Sequence, residues 1–106
     1  MLVSLLLALM LTAPSLRVSP RYASEPARLT LTVGNISGPT VCIQLEGDAY
    51  STSSCRETTR TTEQFVLRDI PASHYLIRAA VCDNTNCMIS PTVEVIITGT
   101  ESGAPE

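Results

Sequence analysis

The chain has no tryptophan, no lysine, one phenylalanine and one histidine in 106 residues. Each shortage closes off a class of explanation. With His74 as its only imidazole, the sequence has no second histidine for a two-histidine metal site or an imidazole-based catalytic pair. Seven cations, all arginine, face ten carboxylates, giving a net charge of −3. Such a chain has no basic field to capture phosphate backbones or anionic lipid, so nucleic acid is not an expected partner. The length leaves room for a single core, and aromatic residues make up only 4% of the chain. A core so short of large side chains is marginal on burial alone, and cross-links should matter to it.

One long apolar run is present, at the start. MLVSLLLALMLTA is uncharged and ends at Pro14. It is shorter than the ~20 residues a membrane-spanning helix needs, and its length suits the apolar centre of a signal peptide. Ala13-Pro14-Ser15 puts small residues at the −3 and −1 positions of a cleavage site before Leu16. Residues 1–15 are therefore read as a signal peptide or short signal anchor, and membrane contact is expected only through an uncleaved segment. Residues 16–27 contain two prolines and no sustained period, and read as a linker.

From Arg28 the hydrophobic pattern has period two. Leu29, Leu31 and Val33 alternate with polar residues, and Val41, Ile43 and Leu45 repeat the pattern after a Gly/Pro turn, so the two segments are expected to pair as a hairpin. Residues 46–63 are polar and read as a long loop with room for one weak edge strand. Phe65 and Leu67 resume the alternation. Tyr75, Ile77, Ala79 and Val81 form the inward set of the longest strand, over His74 to Cys82. After the polar turn Asp83-Asn84-Thr85-Asn86, Val93, Val95 and Ile97 close the domain. These observations predict an all-β fold, a small antiparallel β-sandwich over residues 28–98, followed by a disordered tail at 99–106.

The stretch from Phe65 to Ile97, FVLRDIPASHYLIRAAVCD followed by SPTVEVII, resembles the second half of a fibronectin type III domain. An apolar strand leads into a proline turn, then a Tyr-containing alternating strand, then a Ser-Pro pair before the last strand. The resemblance implies an immunoglobulin-like or fibronectin type III-like sandwich. It also implies that Tyr75 is a corner tyrosine, with its ring in the core and its hydroxyl bonded to backbone near the preceding turn.

The four cysteines, Cys42, Cys55, Cys82 and Cys87, form an even set in a small chain, which is the pattern of a disulfide framework in an oxidising compartment. Cys42 lies between the inward residues Val41 and Ile43, and Cys82 follows inward Val81, so both thiols should leave the core-facing side. That parity disfavours a bridge through the core and selects Cys42–Cys55 and Cys82–Cys87. Zinc prefers two close pairs of ligands, whereas twelve, twenty-six and four residues separate these cysteines. Asp83, Asn84 and Asn86 lack the glycine and terminal glutamate of a calcium loop. No metal or cofactor is expected. Ser and Thr abound between Tyr50 and Thr62, but no nucleophile elbow or paired base accompanies them, so catalysis is not expected either.

Asn35-Ile36-Ser37 is an N-glycosylation sequon in a Gly/Pro-flanked turn. Leader, sequon and cysteines together place the chain outside the cell or in the secretory-pathway lumen. The expected role is a non-catalytic interaction domain with a protein or glycan partner. Two alternatives are an accessory module at the N-terminus of a larger secretory-pathway enzyme such as a glycosyltransferase, and a small secreted inhibitor or effector presenting the 46–63 loop.

Overall fold

The computed structural model describes residues 13–99, and no helix forms among them. Nine strands follow in order: β1 Ser15–Ser19, β2 Tyr22–Ser24, β3 Ala27–Gly34, β4 Thr40–Glu46, β5 Ser51–Glu57, β6 Glu63–Ile70, β7 Ser73–Cys82, β8 Cys87–Ile89 and β9 Val93–Thr98. They form two sheets. The smaller has the order β1-β3-β6, the larger β2-β9-β7-β4-β5, and β8 pairs with the far end of β7. The inward set expected from period two lies between the sheets. Leu29, Leu31, Val33, Val41, Leu45, Tyr75, Ile77, Ala79 and Val95 are fully buried, while Leu67 and Val93 are half-buried against them.

Three expectations are corrected. Residues 16–27 supply β1 and β2 of the sandwich instead of a linker. β1 pairs with β3 in the smaller sheet, the chain crosses at Pro20 and Arg21, and β2 then runs beside β9 in the larger sheet. Because it crosses without reversing, the β2–β9 pair is parallel, so the fold is not wholly antiparallel. Arg21 stitches the crossing, its carbonyl accepting from the Ile96 N–H and its Nε donating to the Glu94 carbonyl. Second, β3 and β4 lie in different sheets and make no hairpin. Both present an apolar face to the same core, and facing sheets satisfy that better than a shared one. Third, the edge strand for which the 46–63 segment had room is a full one, β5, which pairs with β4 over seven positions and leaves 47–50 and 58–62 as short connections. The leader segment 1–12 and tail residues 100–106 lie outside the described residues.

The long strands carry two irregularities, each with a local cause. On β6, Arg68 and Asp69 face the single residue Arg28 between the pairs Leu29↔Leu67 and Ala27↔Ile70, a bulge in which Asp69 takes φ 57°. Between β8 and β9, Ser90, Pro91 and Thr92 face only Arg78 and Ala79. Proline has no N–H for the ladder, and the buried Ser90 repairs the gap. Its Oγ accepts from the Ala79 N–H at 2.9 Å, and its own N–H donates to the Ala79 carbonyl at 2.9 Å.

The side of the sandwich between β5 and β6 has no strand to close it, and Arg56 covers the opening. Opposite Val41 on the edge strand β5, Arg56 reaches over to β6, its guanidinium 4.3 Å from the centre of the Phe65 ring. It donates to the Gln64 carbonyl and to Glu63, both at 2.9 Å. The Thr58 hydroxyl and this guanidinium hold the Glu63 carboxyl below the usual carboxylate range. The cation–π contact and charge-assisted bonds thus cover the only phenylalanine with a charged lid.

At the opposite end, Tyr75 is fully buried and its hydroxyl donates to the Pro71 carbonyl at 2.7 Å, four residues back. This is the corner-tyrosine geometry. Gly47 makes room for the ring, since a Cβ there would stand 2.5 Å from a Tyr75 ring carbon. Burial raises the Tyr75 pKa above its ordinary value. The stability that comes from a neutral hydroxyl is therefore fully present below the unfolded tyrosine value of about 10, and is lost as pH rises through the folded value. Tyr75→Phe should cost about 1 kcal/mol at neutral pH, and the gap to the wild type should shrink as pH climbs above about 10. Denaturant melts across that range check this; a gap unchanged into strong alkali would contradict the buried hydroxyl.

Candidate functional site

The inner faces of both sheets are consumed by the core, and the larger sheet has an outer face that is not. Its residues follow from the registers. At one edge Tyr22, Ile96 and His74 stand side by side on β2, β9 and β7. The next row is Glu94, Leu76, Glu46 and Ser51 across β9, β7, β4 and β5, and the next is Arg78, Gln44 and Ser53. Beyond them Ile89, Ala80, Cys42 and Cys55 align, followed by Cys87, Cys82, Thr40 and Glu57.

Three large apolar side chains on this face are open to solvent: Tyr22 at 77%, Ile89 at 56% and Leu76 at 43% exposure. Polar side chains flank them in pairs. His74 meets Glu94, and Arg78 reaches Glu46 at 3.5 Å. Exposed pairs of this kind contribute about 0–1 kcal/mol, so they orient the surface more than they stabilise it. The relief is shallow. One open hollow of about 430 Å³ is lined by Glu46, Gly47, Asp48, Ser51, His74 and Leu76. A second, of about 300 Å³, has Arg78, Gln44 and Ser53 on one side and Ala80, Ile89 and the Cys42 disulfide on the other.

Both disulfides lie on this outer face. Cys42 on β4 is bonded to Cys55 directly opposite on β5, and Cys82 on β7 to Cys87 directly opposite on β8. The core position two residues after the corner tyrosine, where an antibody domain carries its second inter-sheet cysteine, is filled by buried Ile77. The first bridge ties a polar edge strand to the sheet. The second pins a three-residue strand whose residues are all exposed.

The other residues singled out in the sequence lie apart. Asn35 is exposed in the β3–β4 connection, off the outer face. Asp83 accepts from the Thr85 and Asn86 N–H groups at 2.8 Å and from the Thr85 hydroxyl. These bonds keep its carboxyl below the usual range and make the segment a self-contained turn. Among the described residues no three His, Cys, Asp or Glu side chains are placed to hold a metal ion. The apolar cluster escaped sequence reasoning, although Leu76 and Ile96 left a signal, being large apolar residues at positions where the period calls for polar ones.

Two facing sheets, a corner tyrosine and a β5 strand that stays with β4 define an immunoglobulin-like β-sandwich. Among solved structures the chain is similar to the crystal structure of CHIR-AB1, an immunoglobulin-like receptor, with a TM-score of 0.53 and 19% identity over 81% of this chain and 98% of that one. At such identity the likeness is one of fold. No protein-family profile and no curated protein matches the sequence.

The two bridges should differ in weight. They join residues 13 and 5 positions apart, which corresponds by loop entropy to about 3 and about 2 kcal/mol. Replacing Cys42 and Cys55 together by Ala should lower stability more than replacing Cys82 and Cys87 together. Chemical denaturation of the two double variants measures this, and either one matching the wild type would show that bridge to be structurally idle.

Proposed function

We propose that this chain is a non-catalytic interaction domain of the extracellular space or secretory-pathway lumen, and that the outer face of its larger sheet meets a protein partner. The observation that carries the reading is the exposure of Tyr22, Leu76 and Ile89 on one face of a hydrogen-bonded sheet, with the polar pairs His74–Glu94 and Arg78–Glu46 among them. Interfaces place aromatic and aliphatic anchors inside a polar rim in this manner, and a flat face suits another protein surface better than a small molecule. Two disulfides and an immunoglobulin-like fold fit an oxidising compartment, and residues 1–15 provide the route there.

The poles of the sandwich suit a second reading, an accessory module at the N-terminus of a larger secretory-pathway enzyme. β1 begins beside Gly34, whereas β9 ends beside Ser24 and Ser73 at the opposite pole. A domain entered at one pole and left at the other can be strung in series. The inhibitor reading loses its long presenting loop, since β5 takes the middle of that segment and leaves only 47–50 and 58–62 as short connections.

Expression behind the native leader should give an exported protein lacking the first ~15 residues. Screening that protein against arrayed ectodomains and arrayed glycans should return a protein ligand. Leu76→Arg and Ile89→Arg should then each weaken binding at least about tenfold with little change in melting temperature. Binding untouched by either variant, or binding to glycans alone, would overturn the assignment of the face to a protein partner; an intact Met1 on a cytosolic product would overturn export.

A further inference from the structure

The turn that links β3 to β4 holds the only Asn-x-Ser/Thr triplet in the sequence. Its middle residue, Ile36, is buried at 5% exposure and donates its N–H to the Thr61 carbonyl at 3.0 Å. That peg fixes the turn, while Asn35 and Ser37 on either side of it are exposed. Asn35 has φ 56°, a left-handed conformation that asparagine tolerates well, and its side chain makes no hydrogen bond to any described residue. A buried hydrophobic between two outward polar residues leaves the Asn35 amide nitrogen free to carry a substituent without disturbing the core.

The surroundings say what a substituent there would cover. The Ile36–Thr61 bond and the bond from the Thr58 N–H to the Pro39 carbonyl place the 58–62 loop against this turn. Gly38 packs so closely on β7 that a Cβ there would meet the Cys82 carbonyl at 2.7 Å, which sets the 83–86 turn at the same pole. Ser15, where β1 begins, is paired with Gly34 next to Asn35. Arg60, in the neighbouring loop, is exposed.

We infer that Asn35 carries an N-linked glycan, and that this glycan stands over the pole formed by residues 35–39, 58–62 and 83–86. It shields that pole from proteases and partners and leaves the outer sheet face open. The inference rests on the export reading above, because the transfer of a preassembled oligosaccharide to the Asn amide nitrogen requires the lumenal donor and enzyme. The chain supplies the acceptor nitrogen and the Ser37 hydroxyl, and the lipid-linked donor leaves as its lipid diphosphate.

The test uses the chain secreted from a glycosylating host behind either its own leader or an unrelated one. With either leader, enzymatic removal of N-glycans should lower the apparent mass, and Ser37→Ala and Asn35→Gly should each abolish the shift. Asn35→Gly keeps the left-handed backbone, and Ser37→Ala leaves Asn35 in place, so neither depends on the other for folding. Trypsin should cut after Arg60 several-fold faster once the glycan is removed. Secretion and modification with the unrelated leader alone would sink the native export reading and leave the site standing. A disulfide-bonded, exported protein without the mass shift would overturn the modification, and equal cleavage rates before and after deglycosylation would overturn the shielding.

Discussion

β4 and β7 are hydrogen-bonded to each other from Thr40↔Cys82 to Glu46↔Leu76, and the rest of the molecule depends on that register. It sends Val41, Ile43, Leu45, Ile77, Ala79 and Val81 into the core. By the same alternation it sends Cys42, Gln44, Glu46, Leu76, Arg78 and Cys82 to the outside. A slip of either strand by one residue would turn that strand over: β4 would bury Gln44 and Glu46 and expose Val41, Ile43 and Leu45, and β7 would bury Arg78 and expose Ile77, Ala79 and Val81. The difference in hydrophobic burial is comparable with the whole net stability of a small domain, and the buried polar groups add to it, so the register is strongly specified without a core disulfide. Ile77 can occupy the place of a core cysteine because the cross-links were moved to the outer face, where they tether the weakly held strands β5 and β8.

The scarcity of large aromatic residues shapes the rest. With no tryptophan to fill the space between the sheets, Tyr75 is the largest fully buried side chain, and it is held by Pro71 above and by the absence of a side chain at Gly47. The one phenylalanine lies at the open side between β5 and β6, where Arg56 covers it. A charged lid serves better there than another apolar residue, because the edges of both sheets are otherwise open to pairing with other chains.

How much of this could be read in the sequence follows from where the period is clean. β3 and β4 alternate cleanly, and β7 and β9 do so apart from Leu76, Ala80 and Ile96, so their inward residues were identifiable one by one; so was the corner role of Tyr75. β5 was legible only as room for a weak strand, because Ser51 to Glu57 has no apolar alternation and pairs through its backbone and Cys55. β1 and β2 were hidden because they are short pieces of one segment that changes sheets, so neither runs long enough to show a period, and the prolines that follow each of them, Pro20 and Pro26, looked like a linker. The outer face is a product of adjacency: Leu76 lies beside Glu46 and Glu94 only because β4 and β9 flank β7, and the local signs of it are confined to Leu76 and Ile96 at positions due to be polar. Pairing β3 with β4 failed for the same reason, since alternation tells which side of a strand is apolar and not which sheet the strand joins.

Non-reducing peptide mapping of the oxidised protein tests most directly the strand order and outward faces built around the β4–β7 pair. The account predicts fragments joining Cys42 to Cys55 and Cys82 to Cys87, with no other linkage. A Cys42–Cys87, Cys55–Cys82 or Cys55–Cys87 linkage would contradict the account, because each would have to reach across two or three strands of a sheet that sets Cys42 opposite Cys55 and Cys82 opposite Cys87.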